Sequence, residues 1–236
     1  MNAALDLRNP ITPWENEIWT PEPVFKGETV FCVASGPSLT QALADKLKGR
    51  RVIVVNSSCM LAPWADVLFF TDSGWYDARK ELVENWPGLI VTMSRQAKRE
   101  LPGKVKRVKS IGDPTFPPRL PGPAKTPGFP PPGSVEIQQG RTSGHTAVSL
   151  AIALGAVRVP LVGYDMQVVN GREHFHSEYK GPRDLTLYEK EFKNSFNGWN
   201  DAAQNSGVSI INCTPGSAIT EFPFADLDEV LTCARS

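Results

Sequence analysis

The sequence predicts an α/β protein: a Rossmann-like three-layer sandwich built on a mainly parallel sheet. Three observations lead there. Short apolar runs recur at residues 29–34, 51–56, 66–71 and 89–93. Segments whose apolar residues recur at helical spacing separate them, the rhythm of alternating strands and helices. The runs are also nearly continuous in their apolar character, which suits strands covered by helices on both faces. With 236 residues, 41% of them hydrophobic, the chain is large enough to bury a core of that kind.

The elements follow in order. Residues 1–27, with Trp14, Trp19, Pro21 and Pro23 and no clear period, read as an irregular arm, and the α/β domain spans 28–236. The first strand, 29–34, runs into Ser35-Gly36-Pro37-Ser38 and then a helix over 39–47, with Ser38 its expected N-cap. Strands over 51–56 and 66–71 follow, then a helix over 76–86, a strand over 89–93 and a weaker one over 105–109. Residues 111–134 are rich in proline, which cannot donate ladder hydrogen bonds and favours extended polyproline II. This insertion reads as a rigid surface loop or a flap bordering the active crevice, with docking into an aromatic groove of a partner as the alternative. Next come an apolar, alanine-rich helix over 146–156 and a strand over 158–165, in which Pro160 implies a bulge or an edge contact. A polar loop over 166–183 carries two of the three histidines. An amphipathic helix over 185–205, a strand over 208–212 and a helix over 224–233 complete the chain.

Charge and cysteine content narrow the function. Lys plus Arg and Asp plus Glu are both 25, and that balance argues against a general nucleic-acid binder or a polybasic membrane-surface protein. Cys32, Cys59, Cys213 and Cys233 form no CxxC pair, so neither a disulfide framework nor a zinc ribbon is expected, and a reducing cytoplasm is the default. The first 14 residues contain no apolar h-region, and the longest apolar stretch, 148–157, falls short of the roughly 20 residues a membrane span needs. The expected protein is cytoplasmic with no membrane span. Self-association through the tryptophans of the arm and packing of those rings on their own domain are equal alternatives.

Five motifs carry chemistry, each with a plainer structural alternative. In open parallel sheets, ligands lie outside the carboxyl ends of the strands. Gly36 and Ser38 end the first strand, Asn56 the second, Asp72 the third, and Asp165 the strand before the histidine loop. No GxGxxG or Walker loop is present, so these are not dinucleotide or P-loop fingerprints. Glycine permits close backbone approach, while a following helix start offers free N–H groups to an anion. Asn56 both donates and accepts, and Asp72 suits a hydroxyl or a metal. Taken singly, these residues are also ordinary turn formers and caps. Arg141-Thr142-Ser143-Gly144 opens the alanine-rich helix with two hydroxyls and an arginine, suiting a phosphate or simply capping the helix. In His174-Phe175-His176 the two rings share a side only if the segment is extended; there they suit a metal or a general base near neutral pH. His145, inside the apolar helix, reads as structural.

Taken together, Val33-Ala-Ser-Gly-Pro-Ser-Leu39, Val54-Val-Asn56, Phe70-Thr-Asp72, Arg141-Thr-Ser-Gly144, Ala151-Ile-Ala-Leu-Gly155 and Leu161-Val-Gly-Tyr-Asp165 form an ordered series. This series resembles the Rossmann-like superfamily of the family 42 bacterial sialyltransferases, the motility-accessory-factor glycosyltransferases and the archaeal-type 6-hydroxymethyl-7,8-dihydropterin pyrophosphokinases. The Gly-Tyr-Asp-Met-Gln, His-Phe-His-Ser-Glu and Asn212-Cys-Thr-Pro-Gly-Ser217 segments also look like phage and prophage members of that group. The resemblance implies a nucleotide-dependent transferase, foremost a glycosyltransferase taking a nucleotide sugar and a hydroxyl acceptor without a metal. Gly36, Ser38, Asn56, Thr142, Ser143 and Gly144 would then surround the nucleotide. His176, with His174 as second choice, would act as general base. The tyrosines that bind the leaving phosphate in the sialyltransferase pattern are replaced here by Gln167 and a position near Glu173, so Arg141, Arg172 or Lys180 would take that role. The pyrophosphokinase branch implies instead Mg²⁺-ATP, with Asp72, Asp165 and the two histidines as candidate ligands. A non-catalytic nucleotide-binding accessory protein on the same fold is the third alternative.

Overall fold

A computed structural model of the chain describes residues 17–110, 129–177, 186–188, 192 and 194–233. Seven strands form one sheet. They are β1 (Val30–Val33), β2 (Arg51–Val55), β3 (Val67–Phe70), β4 (Leu89–Thr92), β5 (Val105–Arg107), β8 (Arg158–Val162) and β9 (Ser209–Asn212). Every neighbouring pair is parallel, in the order β5-β4-β3-β2-β1-β8-β9. Two short strands, β6 (Lys109–Ser110) and β7 (Glu136–Ile137), pair separately. The α/β Rossmann-like sandwich expected from the sequence is thus present.

The apolar runs are strands buried on both faces, and residue parity decides which helix layer each side chain meets. Val30, Cys32, Ile53, Val55, Val67 and Phe69 pack under α5 (Ser143–Ala153) and α6 (Trp199–Asn205). Phe31, Val33, Val52, Val54, Leu68 and Phe70 face the opposite layer. That layer holds α1 (Gln41–Asp45), α2 (Ser73–Ala78), α3 (Lys80–Glu84), α4 (Arg95–Glu100) and α7 (Leu227–Cys233). No described helix is long and apolar enough to cross a membrane.

Helix α5 is central. Ten of its eleven residues are buried, because Phe129, Phe196 and Trp199 cover the side turned away from the sheet. Its start is capped by the Thr142 hydroxyl, which accepts from His145 N at 3.2 Å. At its end Gly155 adopts φ 99°, and Gly155 N and Ala156 N donate to Ile152 O and Ala151 O, a Schellman closure.

Several expectations are corrected. Thr40, not Ser38, caps α1, because the Ser38 hydroxyl is drawn to Asp165. The helix expected over 76–86 is two short ones, α2 and α3, broken at Arg79. Pro160 produces neither a bulge nor an edge. The β8–β9 register runs uniformly through it, while the β1–β8 ladder lapses between Thr29↔Arg158 and Cys32↔Leu161. The missing N–H costs one ladder bond and leaves the register intact. Of the helix expected over 185–205, the described residues 186–188 and 192 are helical, residues 194–198 turn with Gly198 at φ 81°, and α6 forms the last third. Most of the proline-rich insertion lies outside the described residues. Its described end, 129–134, sits at the far end of α5, where Gly133 N donates to Ala153 O and Phe129 N to Ser206 Oγ.

Candidate functional site

The strand order reverses between β1 and β8, since β2 to β5 extend to one side and β9 to the other. A crevice opens at the carboxyl ends of such a pair. Two turns flank it, 35–38 after β1 and 163–165 after β8. They touch through backbone: Gly36 N donates to Gly163 O at 2.9 Å. Asp165 is only 3% exposed, and its carboxylate accepts from Ser38 N at 3.1 Å and from Ser38 Oγ at 2.8 Å. Gly36 is required for this closeness, because a Cβ there would lie 2.0 Å from Asp165 Oδ2 and 2.5 Å from Gly163 O. Burial pushes the Asp165 carboxyl above its usual range, with the two Ser38 bonds acting in the opposite sense. A carboxylate of the protein itself therefore occupies the anion seat at the β1 turn.

The loop after β9 fixes the 163–165 turn from below. Thr214 Oγ1 accepts from Tyr164 N at 2.9 Å, Ser217 Oγ donates to Tyr164 O at 2.6 Å, and Ala218 N donates to Asp165 O at 2.9 Å. Asn212 braces the loop, accepting from Thr214 N and donating to Ile219 O. Gln167 Nε2 donates to Gly216 O. The Tyr164 side chain turns away from the crevice and donates to Gly144 O at 2.9 Å.

The histidine loop returns over the β1 turn. Val169 and Arg172 exchange both backbone hydrogen bonds around Asn170 and Gly171, whose φ values of 51° and 73° mark a type I′ turn. The Arg172 guanidinium donates to Phe175 O at 2.6 Å, tying down its own loop. Phe175 packs into the α1-side core, and its N–H donates to Ser35 O at 3.1 Å. His174 Nδ1 reaches the same carbonyl at 3.3 Å. The His174 and His176 rings lie parallel at 5.2 Å, so both project to one side, although the backbone bends through residues 173–176 rather than running extended as expected from the sequence.

Two more strand ends complete the edge. Asn56 follows β2 in the left-handed region (φ 51°), and its Oδ1 is buried without a hydrogen-bond partner. Ser35 Oγ donates to Val55 O at 3.2 Å, linking the β1 and β2 ends. Beyond β3, Thr71 Oγ1 and Ser143 Oγ are 2.6 Å apart, which joins the start of α5 to the same edge. Gly144 belongs to that packing, since a Cβ there would meet Tyr164 Cε1 at 3.1 Å. Asp72 caps α2, accepting from Trp75 N at 2.8 Å. It stands three strands from Asp165, about 14 Å at ordinary strand spacing, so the two carboxylates do not fit one shared ion. Among the described residues no group of three or more His, Cys, Asp or Glu is placed to hold a metal.

His145 is structural. It is 1% exposed, its Nδ1 accepts from Arg141 N at 3.1 Å, and its ring lies 3.8 Å from that of Trp199 and 4.0 Å from that of Phe196. Burial pushes its pKa down to about 3, so it is neutral.

The structure therefore brings Gly36, Ser38, Asn56, Ser143, Asp165, His174 and His176 to one edge. Thr142 serves as a helix cap and Asp72 as another, while Lys180 lies outside the described residues. Thr71, Phe175, Thr214 and Ser217 lie within segments quoted from the sequence but were given no role of their own there, because a hydroxyl or an aromatic ring inside a motif does not reveal its distant partner. A separate groove of about 860 Å³ lies at the opposite, amino edge of the sheet, lined by Glu28, Arg51, Trp64, Asp66 and neighbours. Arg51 there is already paired with Glu28 and Asp66.

The fold and this edge define a Rossmann-like α/β protein whose strand order reverses between β1 and β8. No protein-family model matches the chain, and a search of curated proteins finds no significant match.

Proposed function

We propose that the carboxyl-edge crevice binds a nucleotide or nucleotide sugar and that the protein is a nucleotide-dependent transferase, foremost of glycosyl groups. The observation that supports it most is the strap of His174, Phe175 and His176, seated on the Ser35 carbonyl at the point where the strand order reverses. A fold that needed only a connection would not bring two histidines back over the β1 end. Asn56, with an unused buried acceptor at the neighbouring strand end, is suited to read a base amine or a ribose hydroxyl. Ser143 and the first turn of α5 offer donors to phosphate, the role left open by Asp165 at the β1 turn.

In this mechanism the acceptor hydroxyl gives its proton to His176 as its oxygen bonds to the sugar carbon. The bond from that carbon to the phosphate oxygen breaks, and the nucleotide leaves with the electron pair. His174 orients the strap through Ser35 O. Arg141, Arg172 and, beyond the described residues, Lys180 are the candidate cations for the leaving phosphate.

A thermal-shift screen of nucleotides and nucleotide sugars, with and without divalent cation, tests the reading, since a ligand selective for the folded state raises the melting temperature. Stabilisation by CMP or CDP compounds without metal supports it, and stabilisation by ATP only with Mg²⁺ supports the pyrophosphokinase branch instead. His176→Ala should abolish turnover and leave nucleotide affinity nearly unchanged. Asn56→Gly, which keeps the left-handed backbone, should weaken affinity about tenfold or more, the loss expected for one hydrogen bond to a ligand. Ligand binding without turnover, indifferent to His176→Ala, would establish the non-catalytic alternative.

A further inference from the structure

Of the large hydrophobic side chains that stand exposed among the described residues, Met60 and Phe224 lie at the carboxyl ends of β2 and β9, each by itself. The other three, Val24, Val135 and Val157, belong to segments that meet at the far end of α5, on the amino edge of the sheet. Phe25 N donates to Leu154 O at 2.8 Å and Gly27 N to Gly155 O at 3.0 Å, which ties the turn over 23–26 to the end of the helix. Gly155 leaves no room for a side chain there, since a Cβ would lie 2.9 Å from Lys26 Cα. Val157 N donates to Glu28 O at 3.1 Å, and Gly133, two residues before Val135, reaches both Ala153 O and the neighbourhood of Pro21 O. Pro23, Pro131 and Pro132 are exposed in the same segments. Trp19, the described tryptophan of the arm, packs against the core instead.

Single exposed valines are ordinary on a protein surface. Several on one surface with a charged rim mark an interaction site. This one is also rigid: three prolines and the backbone bonds to residues 153–157 hold it, so docking has little left to order.

The rim indicates the partner. Glu22 and Lys26 are exposed, stand two residues to either side of Val24, and take part in no ion pair. They offset each other, so this rim favours neither a polyanion nor an anionic membrane. It is matched by a copy of itself. A two-fold axis through facing Val24 turns sets Glu22 of each protomer against Lys26 of the partner subunit, so both charges are paired twice over.

We propose that the protein self-associates through this amino-edge surface as a two-fold symmetric dimer with Val24 near the axis. The apolar side chains are small and include no exposed aromatic anchor, so the contact belongs to the smaller, dissociating class, with a dissociation constant on the order of 10–100 µM. The inference is independent of the transferase reading, because the crevice lies at the opposite edge of the sheet.

Sedimentation velocity over about 5–500 µM should show the protein passing from its monomer mass of 25.9 kDa towards twice that value. Val24→Asp brings two carboxylates together at the axis and should hold the protein monomeric throughout. Phe224→Asp, at the carboxyl edge, should leave association unchanged. Glu22→Lys and Lys26→Glu, made singly, each set like charges against one another at both ends of the contact and should weaken association about tenfold. An equimolar mixture of these two variants restores both attractive pairs and should recover the original affinity. All the substituted side chains are exposed, and melting curves establish that each variant is folded. A protein that stays monomeric over the whole range, a folded Val24→Asp variant that associates undiminished, or a mixture no tighter than its components would each overturn the proposal.

Discussion

Gly36 and Asp165 are the clearest case of one residue's shape deciding another's position. The carboxylate sits where a side chain at 36 would begin, so Gly36→Ala must displace either Asp165 or the Gly163 carbonyl. Overpacking of this kind typically costs about 1–3 kcal/mol. A urea midpoint indistinguishable from the parent's would show that the turn has more room than its geometry allows. His145 makes a prediction of opposite character. Its folded pKa of about 3 lies below the ordinary 6.5, so the unfolded chain binds the extra proton first. Its contribution is therefore full above pH 6.5 and is lost as pH falls towards 3, at up to about 1.4 kcal/mol per pH unit. His145→Gln keeps an acceptor for Arg141 N but cannot titrate. Between pH 7 and 5 the parent should lose more stability than this variant, and parallel curves would remove His145 as the cause.

Among the elements, the loop after β9 has the largest effect for the least conspicuous sequence. Thr214 and Ser217 satisfy both backbone groups of Tyr164, and Ala218 takes the carbonyl of Asp165, so the position of the 163–165 turn depends on a loop some 50 residues further along the chain. Thr214→Val preserves shape while leaving the Tyr164 N–H buried and unbonded, at a cost of about 1–3 kcal/mol. Chemical denaturation measures this directly, and a loss below about 0.5 kcal/mol would mean that the N–H finds another acceptor. The strands were legible because a sheet buried on both faces demands continuous apolar runs, and β1, β2, β3 and β4 each fall within a residue or two of expectation. Helices were less so. Short ones such as α4 bury few residues, and the split between α2 and α3 turns on the backbone of Arg79, which no periodicity encodes. Ser38 illustrates the same limit: a serine before a helical stretch is a cap by statistics, but a buried carboxylate from residue 165 made a stronger offer.

At the scale of the whole molecule, burial separates the four cysteines. Cys32, Cys59 and Cys213 are buried, and burial pushes their pKa values up to about 12, 12 and 11, whereas Cys233 is exposed. Native protein treated with N-ethylmaleimide should gain one adduct by mass spectrometry and the urea-unfolded chain four, because the reactive thiolate is suppressed by burial. Two or more rapid adducts on folded protein would show that a core is opening. The sequence alone determined the fold class and the set of polar strand ends, since hydrophobic periodicity and turn chemistry are local properties. It did not determine how His174 and His176 come to share a side, since the expected extended segment is in fact bent over 173–176 and the rings are still parallel. Which strand ends meet was decided by the tertiary structure. The order of strands places β1 beside β8, the histidine strap on Ser35, and Asp165 against Ser38, contacts between residues more than 120 positions apart. Such pairings arise from packing and desolvation between distant segments, and no window along the chain contains both partners.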